Sequence, residues 1–242
     1  EVATHATLHS GGAYADANVR VTAMLASKPF ISKNPVAKDF IFSSYEGGSD
    51  QRQVFEKMDR VDSKGAHTLS FTLPPQPIYY GRLMVESAVQ DDRGKYVAAQ
   101  SYADYAGVDR FVGLRAHEWI FTAGKPGQIH YLVADERGNP VAGTKVNLAI
   151  ERQDTKAAKV KGAGNAYLTE FTSQWVAANL CTGDSQNASS ACEFTPKEPG
   201  YYRALATITD TKGKTHSTEI NMYVVGEGHV LWNEADEYSL EI

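Results

Sequence analysis

The sequence predicts an all-β chain built as two tandem antiparallel β-sandwiches, and three observations carry that expectation. Apolar residues alternate at period two through most of the chain, clusters of turn-forming residues separate those stretches, and one turn signature, Asp-x-x-Gly, recurs. The copies pair Asp91 with Gly94, Asp135 with Gly138, and Asp210 with Gly213. The first and last of them are each followed by one final strand and then a break, which phases the chain into two units of similar topology, 1–108 and 109–227. At 242 residues there is enough chain for each unit to bury its own core.

In chain order, the first strand covers 18–25, with Val19, Val21, Ala23 and Leu25 on one face, and Lys28-Pro29 ends it. The apolar run Phe40-Ile41-Phe42 precedes a turn-rich EGGSD. The segment holding Val54, Phe55 and Met58 reads as a loop edge resting on the sheet, because no capping motif frames a helix there. Leu69, Phe71 and Leu73 alternate until Pro74-Pro75 breaks the strand. Strand 81–89, with Leu83, Val85 and Val89 on one face, leads into the first turn, and strand 96–101 follows it. A boundary is expected near Tyr105-Ala106-Gly107.

The second unit begins at Phe111-Val112-Gly113-Leu114 and is organised around 124–150, which reads as a strand, a glycine turn and a second strand of a hairpin. Ile129, Tyr131 and Val133 alternate there with Gln128, His130 and Leu132, and Val146, Leu148 and Ile150 continue the pattern after the turn. A long irregular insertion, about 152–199, separates this pair from strands 201–209 and 217–225. Their apolar faces are Tyr202, Ala204, Ala206 and Ile208, and Ile220, Met222 and Val224. Residues 228–242 read as a linker and the start of a further domain.

Composition narrows the function classes. The 42% hydrophobic and 22% charged residues suit a globular protein, and no apolar run is long enough to span a bilayer as a helix. A net charge of -5 with interspersed basic residues argues against a nucleic-acid surface. The densest basic cluster, Lys156, Lys159 and Lys161, reads as a solvated, trypsin-sensitive loop. The opening EVATHATL has neither a basic nor an apolar targeting region, so the chain is expected to carry no targeting signal of its own. Cys181 and Cys192 bracket the polar stretch CTGDSQNASSAC, which reads as a disulfide-clamped loop formed in an oxidising compartment, with free thiols as the alternative.

Searching for chemistry leaves little. The Asp-x-x-Gly turns lack the alternating oxygen ligands and terminal Glu of an EF-hand, and read as structural: Asp accepts backbone N–H groups and Gly supplies the positive φ. His5 and His9 read as solvated, and His117-Glu118 lacks the second His of a zinc helix. No nucleophile elbow, phosphate loop or dinucleotide fingerprint appears, so no catalytic, cofactor or metal residues are expected and the chain is not expected to be an enzyme. A two-carboxylate glycosidase stays open on pattern alone. Trp119, Trp175 and Trp232 read as packing at domain edges, with ligand stacking as the alternative for Trp175 and Trp232. Asn187-Ala188-Ser189 is a glycosylation sequon.

Ordered motifs add a resemblance. Val112-Gly113-Leu114-Arg115, Trp119, Ala123-Gly124-Lys125-Pro126, Val133-Ala134-Asp135 and Gly138-Asn139-Pro140-Val141-Ala142-Gly143 come in series. Phe194-Thr195-Pro196, Pro199-Gly200-Tyr201-Tyr202, Thr209-Asp210 with Gly213, Tyr223-Val224-Val225-Gly226 and Trp232 follow. Together they resemble the macroglobulin-like, fibronectin- or Ig-like domains of bacterial α2-macroglobulins, over 109–242 more closely than over 1–108. The resemblance implies a fragment of a large periplasmic protein, tethered to the inner membrane, that offers a cleavable bait and traps proteases in bacterial defence. Its implied partners are proteases, neighbouring macroglobulin-like domains and, by family analogy, a peptidoglycan synthase; the bait is expected after residue 242. Some members carry a thioester motif, Cys-Gly-Glu-Gln, but here Cys181 precedes Thr-Gly-Asp and Cys192 precedes Glu-Phe-Thr. The competing expectations are an adhesin- or invasin-type Ig-like binding module, and a non-catalytic domain attached to a glycan-active enzyme.

Overall fold

Where alternation is clean, strands form. The computed structural model describes residues 1–43, 51–161, 167–227 and 230, and every regular element among them is a strand. Of these residues, 1–30 and 51–108 form one compact unit, and 31–43 with 109–227 form the other.

The first unit contains β1 (Val2–His5), β2 (Asn18–Ser27), β3 (Gln51–Arg60), β4 (Ala66–Leu69), β5 (Tyr80–Gln90) and β6 (Tyr96–Ala106). An antiparallel sheet ordered β3-β2-β5-β6 is faced by the pair β1-β4. The two layers are tied by the hydroxyls of Thr4 and Ser87, 2.6 Å apart, and by a small core around Val19, Val21, Ala23, Val61, Leu69 and Val85. β3 corrects the expected loop at 51–60. Its register against β2 slips between Ala23 and Met24, so that Phe55 pairs with Ala23, Gln53 pairs with Met24, and Val54 is the extra residue of a bulge. Val54 and Phe55 then both pack on the core, which destroys the period-two signal. β4 stops at Leu69, short of the expected strand; Phe71 instead stacks on Phe55 with ring centroids 4.0 Å apart. β6 runs past the expected end at residue 101 to Ala106.

The second unit contains β7 (Arg110–Ala116), β8 (Ile120–Thr122), β9 (Gly127–Asp135), β10 (Lys145–Lys161), β11 (Tyr167–Asp184), β12 (Ser190–Phe194), β13 (Gly200–Thr209) and β14 (Thr215–Val225). A sheet ordered β11-β10-β13-β14-β8 packs on a sheet ordered β12-β9-β7, and among the described residues only the β14–β8 pairing is parallel. The apolar faces predicted for β9, β10, β13 and β14 meet between the sheets: Ile129, Val133, Leu148, Ile150, Ala206, Ile208 and Met222 are all buried there.

Three features of this unit differ from expectation. Strands β9 and β10 are not a hairpin but lie in opposite sheets. The chain doubles back locally after β9, where the Val141 N–H donates to the Val133 carbonyl at 2.8 Å, and then crosses over. The stretch after Arg152 is not an irregular insertion, because β10 and β11 pair continuously out to Lys161 and Tyr167. Finally, residues 31–43 belong with this unit and not with 1–108. Ile41 and Leu114 exchange two backbone hydrogen bonds of 2.8 Å, and Ser32 Oγ donates to the Gly138 carbonyl at 2.8 Å. Phe40 and Phe42 lie over Gly113, covering the face of β7 and β9 that points away from the core, so Phe111, Leu132 and Ala134 are buried as well. A Cβ on Gly113 would stand 2.6 Å from the Phe42 ring. Gly113→Ala is therefore expected to cost about 1–3 kcal/mol by overpacking, read as a lower denaturant midpoint.

Candidate functional site

The recurrent turns use their carboxylates for geometry. At Asp91, Asp135 and Asp210 one Oδ1 accepts the backbone N–H groups two and four residues on, at 2.7–3.0 Å. The Asp carbonyl accepts the N–H of Gly94, Gly138 or Gly213, whose φ values of 79°, 83° and 77° suit glycine. A fourth copy went unread in the sequence: Asp62 accepts from Lys64 and Ala66 at 2.8 Å each, with Gly65 at φ 72°. Its spelling, Asp-Ser-Lys-Gly, is the same signature.

Hydrogen bonds from the Ala66 and Lys64 amides hold the Asp62 carboxyl below its ordinary value of 3.8. Partial burial pushes Asp135 up, and the amides of Asn139 and Arg137 with the Asn139 side chain more than offset it, so its pKa is lowered too. The stability these two groups contribute is present above the ordinary carboxylate value and is lost as pH falls through their lower folded values. Asp135→Ala should cost about 1 kcal/mol, and a neutral-pH melt of the variant checks it.

Cys181 and Cys192 form a disulfide with Cα atoms 5.9 Å apart. They do not sit in one loop. Cys181 lies on β11 in the five-stranded sheet and Cys192 on β12 in the three-stranded sheet, so the bond staples the two layers at the core, where Cys192 is buried. Between them β11 runs on to Asp184, Ser185 is buried with its Oγ donating to the Val141 carbonyl at 2.6 Å, and only 186–189, which hold the Asn187 sequon, form an exposed connection.

The tryptophans part company. Trp119 is 48% exposed and contributes its carbonyl, which accepts the Tyr223 N–H at 2.9 Å. Trp232 lies outside the described residues. Trp175 begins a row of rings across the outer face of the five-stranded sheet, 5.8 Å from Tyr201, which is in turn 5.3 Å from Tyr223. Arg203 stacks its guanidinium 4.2 Å from the Trp175 centroid and pairs with Glu151 at 2.7 Å and Glu219 at 3.2 Å. This row, like the Asp62 turn, is a feature that sequence reasoning misses. Tyr201 and Tyr223 occupy outward positions flanking core residues Tyr202 and Met222, and only the strand register shows that they meet.

Two further groupings stand apart. A cavity of about 490 Å³ is lined by His117, Glu118, Phe121, Pro126, Gly127, Gln128 and Glu193. Burial, with the nearby charges of His117 and Arg115, lowers the His130 pKa, and its ring meets that of His117 edge-on at 4.8 Å. Among the described residues no group of three or more His, Cys, Asp or Glu side chains converges as a metal site would require. The Asp62, Asp91, Asp135 and Asp210 carboxylates are engaged by turn amides, Glu151 and Glu219 by Arg203, and Glu193 accepts from the Gln128 side chain at 3.1 Å.

Comparison with known proteins fits this picture. No family model matches the chain. It is 25% identical over 169 residues to an α2-macroglobulin homolog of Nostoc sp., a match that takes in 69% of the chain and 9% of that relative. Solved structures share the fold. Elastase-activated Escherichia coli α2-macroglobulin matches with a TM-score of 0.56 at 15% identity, over 90% of the chain and 19% of its own. Methylamine-reacted Salmonella α2-macroglobulin matches with a TM-score of 0.53 at 14% identity, over 88% of the chain and 15% of its own. The all-β, macroglobulin-like architecture expected from the ordered motifs is thus met in fold, and the sequence similarity is to a bacterial α2-macroglobulin homolog. The chain spans only a small fraction of each relative's length.

Proposed function

We propose that this chain is a non-catalytic structural portion of a bacterial α2-macroglobulin-like protease inhibitor, scaffolding bait presentation and protease trapping by a larger parent. The observation that carries the reading is the sequence match to an α2-macroglobulin homolog within a chain of macroglobulin-like fold. The recurrent turns agree with it, because their carboxylates are committed to backbone amides and not to a reaction. On this reading the parent works in the periplasm, anchored to the inner membrane, where the Cys181–Cys192 bond forms and persists. Its partners are proteases and the neighbouring macroglobulin-like domains. The test is to incubate the parent with a protease and follow co-elution and hydrodynamic radius. Association accompanied by a change of shape after cleavage supports the reading; a parent that neither associates nor changes shape overturns it.

A further inference from the structure

The ribbon of β10 and β11 outruns the sandwich it starts from. β13 pairs with β10 only from Val146 to Arg152, whereas β11 accompanies β10 as far as Lys161. From Gln153 onward β10 therefore has a partner on one side among the described residues, and its other edge presents backbone N–H and C=O groups that none of them pairs. Every residue from Lys156 to Lys161 is exposed, so this part of the ribbon has no buried face. Two strands with neither a covered face nor a third strand are at best marginally stable in water. Such an arm gains its order from whatever it docks to.

Charge selects the occupant. Within a chain of net charge -5, residues 153–161 hold three lysines and one aspartate, a local excess of two positive charges. Lys156 reaches Asp154 only at 4.0 Å, and Lys159 and Lys161 have no ion pair among the described residues. A second copy of the same arm would bring lysines against lysines, which disfavours self-pairing. A strand carrying carboxylates would place them beside the lysines, about 5 Å away across the new ladder. At the base of the arm, Gln153 pairs with Trp175, where the row of Trp175, Tyr201 and Tyr223 offers the aromatic anchor that interface centres favour. We infer that the free edge of β10 from Gln153 to Lys161 is a docking site for an extended, acidic strand of another polypeptide, which joins the sheet by β-addition. This site is independent of whether the parent inhibits proteases.

The test uses the whole chain and two synthetic probes of about ten residues, the length of an ordinary long strand. One alternates valine with glutamate, and the other has lysine in place of each glutamate. Backbone amide exchange is measured by NMR across 153–161, and affinity by titration. The glutamate peptide is expected to slow exchange at alternate amides of Gln153–Lys161, those facing the free edge. The combined substitutions Lys156→Glu, Lys159→Glu and Lys161→Glu should weaken its binding about tenfold or more while favouring the lysine peptide. An unchanged melting temperature of that variant shows that its fold is intact. Equal binding of both peptides, no slowing along the arm, or undiminished binding of the glutamate peptide by the variant overturns the site. Protection of the same amides by phosphatidylglycerol vesicles but not by the glutamate peptide overturns it in favour of a lipid surface.

Discussion

Acidification should remove about 3 kcal/mol from the second unit through His216 alone. This histidine is 1% exposed, and its Nδ1 accepts the Val112 N–H at 3.2 Å, which fixes the neutral ring with its proton on Nε2. Burial lowers its pKa from 6.5 to about 4, opposed weakly by a hydrogen bond with the Phe42 backbone. The unfolded chain takes up a proton near 6.5 and the folded one resists until about 4. Stability from this group is accordingly complete above 6.5, declines as pH falls toward 4, and has no further to fall below that. Urea titrations at a series of pH values should show the decline in the transition of the second unit. In His216→Leu the decline over that window should flatten, while the orphaned Val112 N–H lowers stability at neutral pH by about 1–3 kcal/mol. A wild-type midpoint that stays constant from neutrality down to about pH 4.5 would refute this account of the site.

Loss of the disulfide should be felt on a similar scale. Cys181 and Cys192 are 11 residues apart, so closing the loop between them contributes about 3 kcal/mol in the chain-entropy treatment. Because the bond joins β11 to β12 it holds one sheet to the other, and its loss loosens the core of the second unit around Cys192. The paired substitution Cys181→Ala with Cys192→Ala should lower the melting temperature of that unit by roughly 10 °C and leave the first unit's transition in place. Calorimetry separates the two. A single transition shifted as a whole, or no shift in either, would contradict the assignment.

Legibility in the sequence followed burial. β2, β13 and β14 keep one face in the core, so Val19 to Leu25, Tyr202 to Ile208 and Ile220 to Val224 spell their strands at period two. The arm of β10 has no buried face to impose a period, and Ala157-Ala158 between lysines reads as loop although the backbone is a ladder. β3 was hidden by its bulge at Val54, and with it the Asp62 turn that follows. Segment 31–43 was misplaced because chain order assigned it to the first unit, whereas the open face of Gly113 decides where Phe40 and Phe42 pack. Of the candidate site, the cysteine pairing was legible from spacing and polarity. That the two sit in different sheets, and that Trp175, Tyr201 and Tyr223 form one row, depends on register, which local sequence does not encode.

The scaffold reading is tested most directly in the parent, by measuring protease retention when the second unit is melted. The parent carrying both cysteine substitutions is held between the melting temperature of the altered unit and that of the wild type, and exposed to a protease that remains active there. If this chain shapes the trap, cleavage of the bait proceeds but the protease is no longer retained, while the wild-type parent retains it at the same temperature. Retention undiminished with the unit unfolded would contradict the proposal that these sandwiches form part of the trapping architecture.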